Sequence, residues 1–106
     1  MLKTTMPVRL IAREAVDYLS KFIHVDKAIL FGSHAAGFPR EDSDIDLAVF
    51  SDDFIRLTLA ERVDLFSKAI MAVDARMEFH AFTKDDYDYD SGISFVRIVK
   101  ETGILL

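Results

Sequence analysis

The sequence predicts an α/β (α+β) domain in which a small β-sheet of three or more strands is flanked by helices. Three observations predict this class. Two segments repeat apolar residues at helical spacing, three short apolar runs have the length of buried strands, and the two kinds of segment alternate along the chain. With 106 residues, 51% of them hydrophobic, the chain has enough material for one packed core, so we expect residues 1–106 to form a single domain.

The first half of the chain is predicted to contain one long helix and two strands. Residues 7–24 place apolar side chains at i, i+3 and i+4 and charged side chains on the opposite face, which predicts an amphipathic helix. The apolar run 28–31 then predicts a buried strand that ends at a glycine turn. Residues 34–43 predict a loop with at most a short helix, and residues 44–50 predict a second strand.

The second long helix is predicted over residues 59–73, because an apolar stripe follows a recognisable start signal. Thr58 and Glu61 have the spacing of a capping box, in which each side chain accepts a hydrogen bond from the other residue's backbone N–H. The mainly apolar stretch 75–82 then predicts the third strand.

The end of the chain is predicted to add two short helical segments. Residues 83–89 predict an acidic turn or helix, and residues 94–102 predict a last helix with Gly103 as its C-cap. We expect helices to cover a three-stranded sheet on one face only. The other face, or the sheet edge, would then need a protomer or partner, so the working protein is not expected to be an isolated monomer.

The composition excludes several classes of site. Cysteine is absent, which removes disulfides, thiolate nucleophiles and cysteine-ligated metal sites and is typical of a cytoplasmic protein. Apolar stretches are too short to span a bilayer, and no signal peptide is expected. A net charge of −5 argues against direct binding to duplex nucleic acid.

The segment from Gly32 to Asp46 carries the pattern with most chemical content. Gly32-Ser33 follows a strand and is predicted to begin a helix, where a glycine allows a close approach and backbone N–H groups favour anions. Asp44 and Asp46 are one residue apart on a predicted strand, so their side chains would share a face. Two neighbouring carboxylates repel each other unless a cation lies between them, and Mg²⁺ prefers carboxylate oxygens together with substrate phosphates.

The spacing of these residues resembles that of the minimal nucleotidyltransferases of the DNA polymerase β superfamily. Gly32-Ser33 is followed by ten residues and then by Asp44-Ile45-Asp46, and an apolar strand continues behind this pair. The resemblance covers most of the chain and implies a polymerase β palm-like fold with a small mixed sheet. It also implies a site with two Mg²⁺ ions, or Mn²⁺ in their place, ligated by Asp44 and Asp46, with the triphosphate bound at Gly32-Ser33.

The family places a third carboxylate on the neighbouring strand, and two residues compete for that role. Glu78 lies on the third predicted strand and is the preferred candidate, whereas Asp74 lies at the junction between helix and strand. His80 shares the face of Glu78 and could line the site, although a half-buried structural histidine is the preferred interpretation. Many relatives carry arginines after Gly-Ser. Here the positions hold His34, Ala35 and Ala36, which leaves Arg40 as the nearest cation for the phosphates.

The resemblance implies transfer of a nucleoside monophosphate, with ATP as the default donor, to an acceptor hydroxyl. Minimal nucleotidyltransferases commonly pair with a small helical HEPN-domain protein in toxin–antitoxin operons, so an antitoxin that modifies its partner is the preferred function. One alternative is an antitoxin that acts by binding alone. The other is a nucleotidyltransferase that acts alone on a small molecule or RNA, although such relatives carry an extra recognition domain.

Overall fold

A computed structural model of the chain describes residues 7–37, 39–40, 43–89 and 94–106. Of the predicted loop 34–43, residues 38, 41 and 42 lie outside this description. The described helices are α1 (Val8–Leu19), α2 (Ser33–Ala36), α3 (Leu59–Ala72), α4 (Lys84–Asp88) and α5 (Phe95–Thr102), with a 3₁₀ turn at Asp52–Ile55. The strands are β1 (Lys27–Phe31), β2 (Ile45–Phe50), β3 (Met77–Phe82) and β4 (Ile104–Leu105).

The four strands form one mixed sheet in the order β3-β2-β1-β4. β1 runs antiparallel to β2, with Phe31 opposite Asp46, and antiparallel to β4, with Ile29 opposite Leu105. β2 and β3 are parallel, and Asp46 lies opposite Glu78. A parallel pair needs a long crossover connection, which α3 supplies. The predicted mixed sheet flanked by helices is therefore confirmed. The fourth strand, β4, was not predicted from the sequence.

One face of the sheet packs against the two long helices. The buried residues of this core come from alternate positions of β1 and β2 and from the apolar stripes of α1 and α3: Ile11, Ala12, Ala15, Leu19, Ala28, Leu30, Ile45, Leu47, Val49, Leu65 and Ala69. Alternation in the strands and the 3.6-residue repeat in the helices bring these side chains into one layer. This core fixes which face of each strand is left for the site.

The opposite face of the sheet is also covered, which corrects the expectation that helices cover one face only. A second buried cluster joins alternate strand residues to α5: Ile29, Phe31, Ala48, Phe50, Val96 and Val99. Phe82 and Tyr87 pack at its margin. The prediction was wrong because the apolar stripe of the short α5 was not assigned to a face. The expectation of a partner therefore has to rest on other grounds.

The observed ends of the helices and strands agree with the predicted ones in some places and differ in others. The capping box of α3 is formed by Thr58 and Glu61 as predicted, with hydrogen bonds of 2.8 and 3.1 Å. Gly103 is the C-cap of α5, with extended backbone. α1 ends at Leu19, five residues before the predicted end, and continues as turns. β3 begins at Met77, two residues later than predicted.

In the part of the chain that the structure describes, no helix combines the length and apolar character that crossing a membrane would require.

Candidate active site

Polar side chains occupy one end of the sheet face that α5 partly covers. Because alternate strand residues share a face, Asp46 in β2 lies on the same side as Phe31 in β1 and as Glu78 in β3, its partners in the neighbouring strands. His80 follows two residues after Glu78 and shares that side. The parallel register thus places two carboxylates and an imidazole next to each other on a rigid support.

The three side chains contact each other at their polar ends. His80 Nε2 lies 3.4 Å from Asp46 Oδ1 and 3.6 Å from Glu78 Oε2. One donor atom from each residue falls within 4.8 Å of the other two. The Asp46 side chain is 18% exposed and that of Glu78 is 54% exposed, so the cluster opens to solvent on its Glu78 side.

The electrostatics of the cluster are those of crowded carboxylates. A hydrogen bond shared with Asp46 raises the pKa of Glu78 above its ordinary value of 4.5, and burial and the charge of Asp46 raise it further. His80 acts in the opposite direction but does not cancel the shift. The register of β2 and β3 thus brings two carboxylates together, an arrangement whose repulsion a bound cation would relieve.

The glycine turn after β1 lies directly against Asp46. Gly32 has φ +78°, a conformation that L side chains rarely adopt, and a Cβ atom built there would collide with Asp46 Oδ2 and lie 3.2 Å from its Cγ. Only glycine can therefore occupy this position without displacing the carboxylate. The two halves of the sequence motif, the Gly-Ser turn and the acidic strand, meet at this contact.

The short helix α2 follows that turn. Ala35 and Ala36 donate to the carbonyl of Gly32, so the N–H groups of Ser33 and His34 precede the first backbone bonds of the turn. His34 Nε2 lies 3.3 Å from the carbonyl of Ser43, which fastens α2 to the segment that leads into β2. His34 thus connects α2 with Ser43, two residues before β2 begins.

Asp44 and Arg40, both predicted for the site, lie in this loop. Asp44 is exposed and precedes β2, which begins at Ile45, so the strand argument for Asp44 and Asp46 sharing a face does not apply as predicted. Arg40 is exposed, and its backbone N–H donates to Ser43 Oγ at 2.7 Å. Neither side chain belongs to the three-residue cluster formed among the described residues.

Asp74, the competitor of Glu78, has a different environment. It is buried, and its carboxylate accepts hydrogen bonds of 2.9, 3.1 and 3.0 Å from the backbone N–H, Nε and Nη2 of Arg76. Arg76 in turn has a raised pKa because of this hydrogen bond. Asp74 therefore closes the turn between α3 and β3 with its charge matched inside the chain.

His80 combines the two roles that the sequence left open for it. Sequence reasoning preferred a structural role, and its ring does pack edge-on against Phe31, with centroids 5.0 Å apart. Its Nε2 nevertheless faces both carboxylates. The period-two relation to Glu78 was the available signal, but the sequence does not give the rotamer that turns the ring toward Asp46.

The donor set fits a divalent cation. Two carboxylates supply the oxygen ligands that Mg²⁺ and Mn²⁺ prefer, and an adjacent imidazole suits transition metals. Gly32, the residue before α2, approaches the Asp46 carboxylate so closely that a Cβ would not fit between them. Chemically, such a site can bind a metal together with the phosphates of a nucleotide.

Comparison with known proteins agrees with this reading of the fold. The family model described as "Polymerase beta, Nucleotidyltransferase" matches residues 13–97. A crystal structure of a presumed nucleotidyltransferase from Sulfolobus solfataricus superposes with a TM-score of 0.62 at 18% identity, covering 93% of this chain and 78% of that one. A search among curated proteins finds no match to the sequence.

A second solved structure, a toxin–antitoxin with AMP-PNP, superposes with a TM-score of 0.66 at 24% identity, covering 89% of this chain and 70% of that one. At these identities the two structural likenesses establish the fold, and the family match establishes the class. The resemblance found in the sequence is thereby confirmed: the chain belongs to the polymerase β nucleotidyltransferase family.

Proposed function

We propose that the chain catalyses metal-dependent transfer of AMP from ATP to an acceptor hydroxyl on a partner protein. The observation that carries the proposal is the register of the parallel pair, which sets Asp46 beside Glu78, with the Gly32 turn in contact with the Asp46 carboxylate. A carboxylate pair facing a backbone phosphate cradle is the arrangement that nucleotidyl transfer requires.

We assign each candidate residue one role, and the contacts of Asp46 and Glu78 support theirs. Asp44, Asp46 and Glu78 would ligate Mg²⁺, which when bound neutralises phosphate charge and lowers the pKa of the attacking hydroxyl. Gly32 and Ser33 contribute backbone N–H groups that orient the β- and γ-phosphates, and Arg40 adds positive charge from the loop. The acceptor oxygen forms a bond to the α-phosphorus as the bond to the β-phosphate oxygen breaks, and pyrophosphate leaves with the bonding electrons.

The donor and partner are proposed from the structural neighbour together with the sequence. AMP-PNP is an analogue of ATP, and the neighbour that holds it is a toxin–antitoxin. We infer that this chain is the antitoxin of such a pair, with a small helical protein of the HEPN type as acceptor. Exposed apolar side chains on α3 offer contact area for a partner or a second copy: Leu59, Val63 and Met71. The absence of cysteine agrees with a cytoplasmic setting.

The test is transfer of label to the proposed acceptor, sought as a small helical protein encoded in the neighbouring reading frame. The complex is incubated with Mg²⁺ and ATP labelled at the α- or the γ-phosphate. We expect label in the partner from α-labelled ATP alone, and its loss when EDTA is added. Label from the γ-position would instead indicate phosphorylation and contradict the proposal.

The control is the Asp44→Asn/Asp46→Asn double variant, with folding checked by circular dichroism. We expect a loss of transfer of about 10³-fold or more. Unchanged labelling would contradict the assignment of these residues. If the double variant loses labelling but still neutralises its partner, neutralisation proceeds by binding alone.

A further inference from the structure

The imidazole of His80 is directed at the same point in space as the two carboxylates of the candidate metal site. Its Nε2 is 3.4 Å from Asp46 Oδ1 and 3.6 Å from Glu78 Oε2, so one nitrogen faces two oxygens. A structural histidine with a single hydrogen-bond partner would not need this arrangement. The three donor atoms lie close enough together for one cation to contact all of them.

The spacing of the three atoms supports that description. Two donors bound to one cation at about 2.0–2.2 Å lie about 3.0–3.6 Å apart when the angle between them is between 90° and the tetrahedral value. Both measured nitrogen–oxygen distances are within or at the edge of this range. The full set of three donors lies within 4.8 Å, so small side-chain rotations would bring all three to one ion.

The surroundings hold the ring in this orientation. His80 lies opposite Ala48 within the parallel pair, and its ring packs edge-on against Phe31, with Phe95 on another side at a centroid distance of 6.0 Å. The side chain is 31% exposed. A ligand fixed by aromatic neighbours loses little freedom when it binds a metal, which favours affinity.

A nitrogen donor changes which ion such a site prefers. Mg²⁺ prefers oxygen ligands throughout, whereas imidazole suits transition metals. Their affinity for mixed nitrogen and oxygen sites rises from Mn²⁺ to Cu²⁺ and falls again at Zn²⁺, which still binds more tightly than Mn²⁺. We propose that His80 Nε2 is a direct metal ligand with Asp46 and Glu78, so that this position binds Zn²⁺ and Mn²⁺ in preference to Mg²⁺. The inference rests on the proposed function only in taking the carboxylate pair as the metal site.

The first test is metal titration calorimetry on the full chain, with Zn²⁺, Mn²⁺ and Mg²⁺ in turn. His80→Phe removes the nitrogen while keeping an aromatic ring against Phe31, and His24→Phe is the matched control because His24 is an exposed histidine after α1. We expect His80→Phe to lose about 10-fold or more in Zn²⁺ affinity and less than about 3-fold in Mg²⁺ affinity. An equal loss for all three ions would mean that the ring only positions Asp46, and no loss would mean that it is not a ligand; either overturns the proposal.

The second test observes the metal on the wild-type protein and uses variants only to assign one resonance. In the ¹⁵N-labelled wild-type protein, Zn²⁺ should shift the ε2-nitrogen resonance of one of the three histidines, and that resonance should be the one missing in His80→Phe or His80→Gln. A shift at His24 or His34 alone would overturn the proposal. If transfer activity is observed with Mg²⁺ but the Zn²⁺ affinity is the same with and without His80, this inference is wrong and the proposed function is unaffected. Zn²⁺ binding through His80 without any transfer would mean the reverse.

Discussion

Asp74 and the pair formed by Asp46 and Glu78 differ in what surrounds their negative charge. Asp74 is buried and accepts three hydrogen bonds from Arg76, two residues away, so its charge is matched within one turn of the backbone. Asp46 and Glu78 instead face each other and a histidine across two strands. The contrast indicates that Asp74 serves the fold, whereas the pair is arranged for a charge brought from outside.

The largest expected effect is the loss of transfer in the single variant Asp46→Asn. Removing this charge takes away a metal ligand and should lower the transfer rate by about 10³-fold, equivalent to about 4 kcal/mol of transition-state stabilisation. The fold should survive, because asparagine has nearly the same shape as aspartate and its amide oxygen can still accept the hydrogen bond from His80. A rate within about threefold of the wild type in the labelling assay would remove Asp46 from the mechanism.

The converse change, Asp74→Ala, should damage stability instead of chemistry. It leaves the Arg76 guanidinium without its carboxylate partner at a partly buried turn, and we expect a loss of about 2–3 kcal/mol in the free energy of unfolding by urea. Metal affinity should remain unchanged under conditions where the variant is folded.

The matched control for this change is Asp64→Ala, which breaks the exposed pair between Asp64 and Lys68 on α3. Solvent screens such pairs, so its urea midpoint should stay at the wild-type value. If both variants shift the midpoint equally, the Asp74–Arg76 turn is not the structural element described above.

Comparing alanine variants of the two glycines with positive φ distinguishes the effect of backbone strain from the effect on the site. Gly32→Ala and Gly37→Ala both force an L residue into that region, at a cost of about 1–3 kcal/mol each. A Cβ at Gly37 meets no atom within 4 Å, whereas at Gly32 it strikes the Asp46 carboxylate. Only Gly32→Ala should therefore also weaken metal binding, measured by calorimetry with Mn²⁺. Equal metal affinity in the two variants would contradict the role given to the Gly32 contact.

The smallest effect concerns Glu78 in the metal-free chain. Its pKa is raised in the folded state, so its contribution to stability is present below pH 4.5 and is lost as the pH rises through the shifted value. Glu78→Gln should remove this loss and raise stability near neutral pH by less than about 1 kcal/mol, since the group is largely exposed. Urea midpoints between pH 4 and pH 8 in EDTA measure it. A variant that loses stability with pH as steeply as the wild type would show that the pair is not repulsive.

Much of the fold could be predicted because its signals are local. The apolar runs of β1 and β2, the stripes of α1 and α3 and the Thr58–Glu61 capping box are short-range patterns, and each led to an observed element. The two-residue β4 was missed because it forms only by pairing with Ile29 and Leu30, far away in sequence. The covering of the second sheet face by α5 was missed for the same reason, since the apolar residues of a helix do not indicate which face of the sheet they pack against.

The candidate site was predictable as a set of residue types but not as a geometry. The Gly-Ser spacing came from the motif, and Glu78 was preferred over Asp74 because it lies within a predicted strand and Asp74 at a helix–strand junction. The hydrogen bonds between Asp74 and Arg76 were not foreseen. The register that sets Asp46 opposite Glu78, and the rotamer that turns His80 toward both, depend on long-range packing. Local sequence carries no information on either.

The most direct test of the contrast between the two acidic positions is the thermal unfolding midpoint with and without divalent cation. The wild type should gain stability as Mg²⁺ or Mn²⁺ is added, by about 2.7 kcal/mol when the ion is at 100 times its dissociation constant, and Asp46→Asn should gain none. If the cation raises the unfolding midpoint of Asp46→Asn as much as that of the wild type, the central claim is wrong. The cation would then bind at a site that does not need the Asp46 carboxylate.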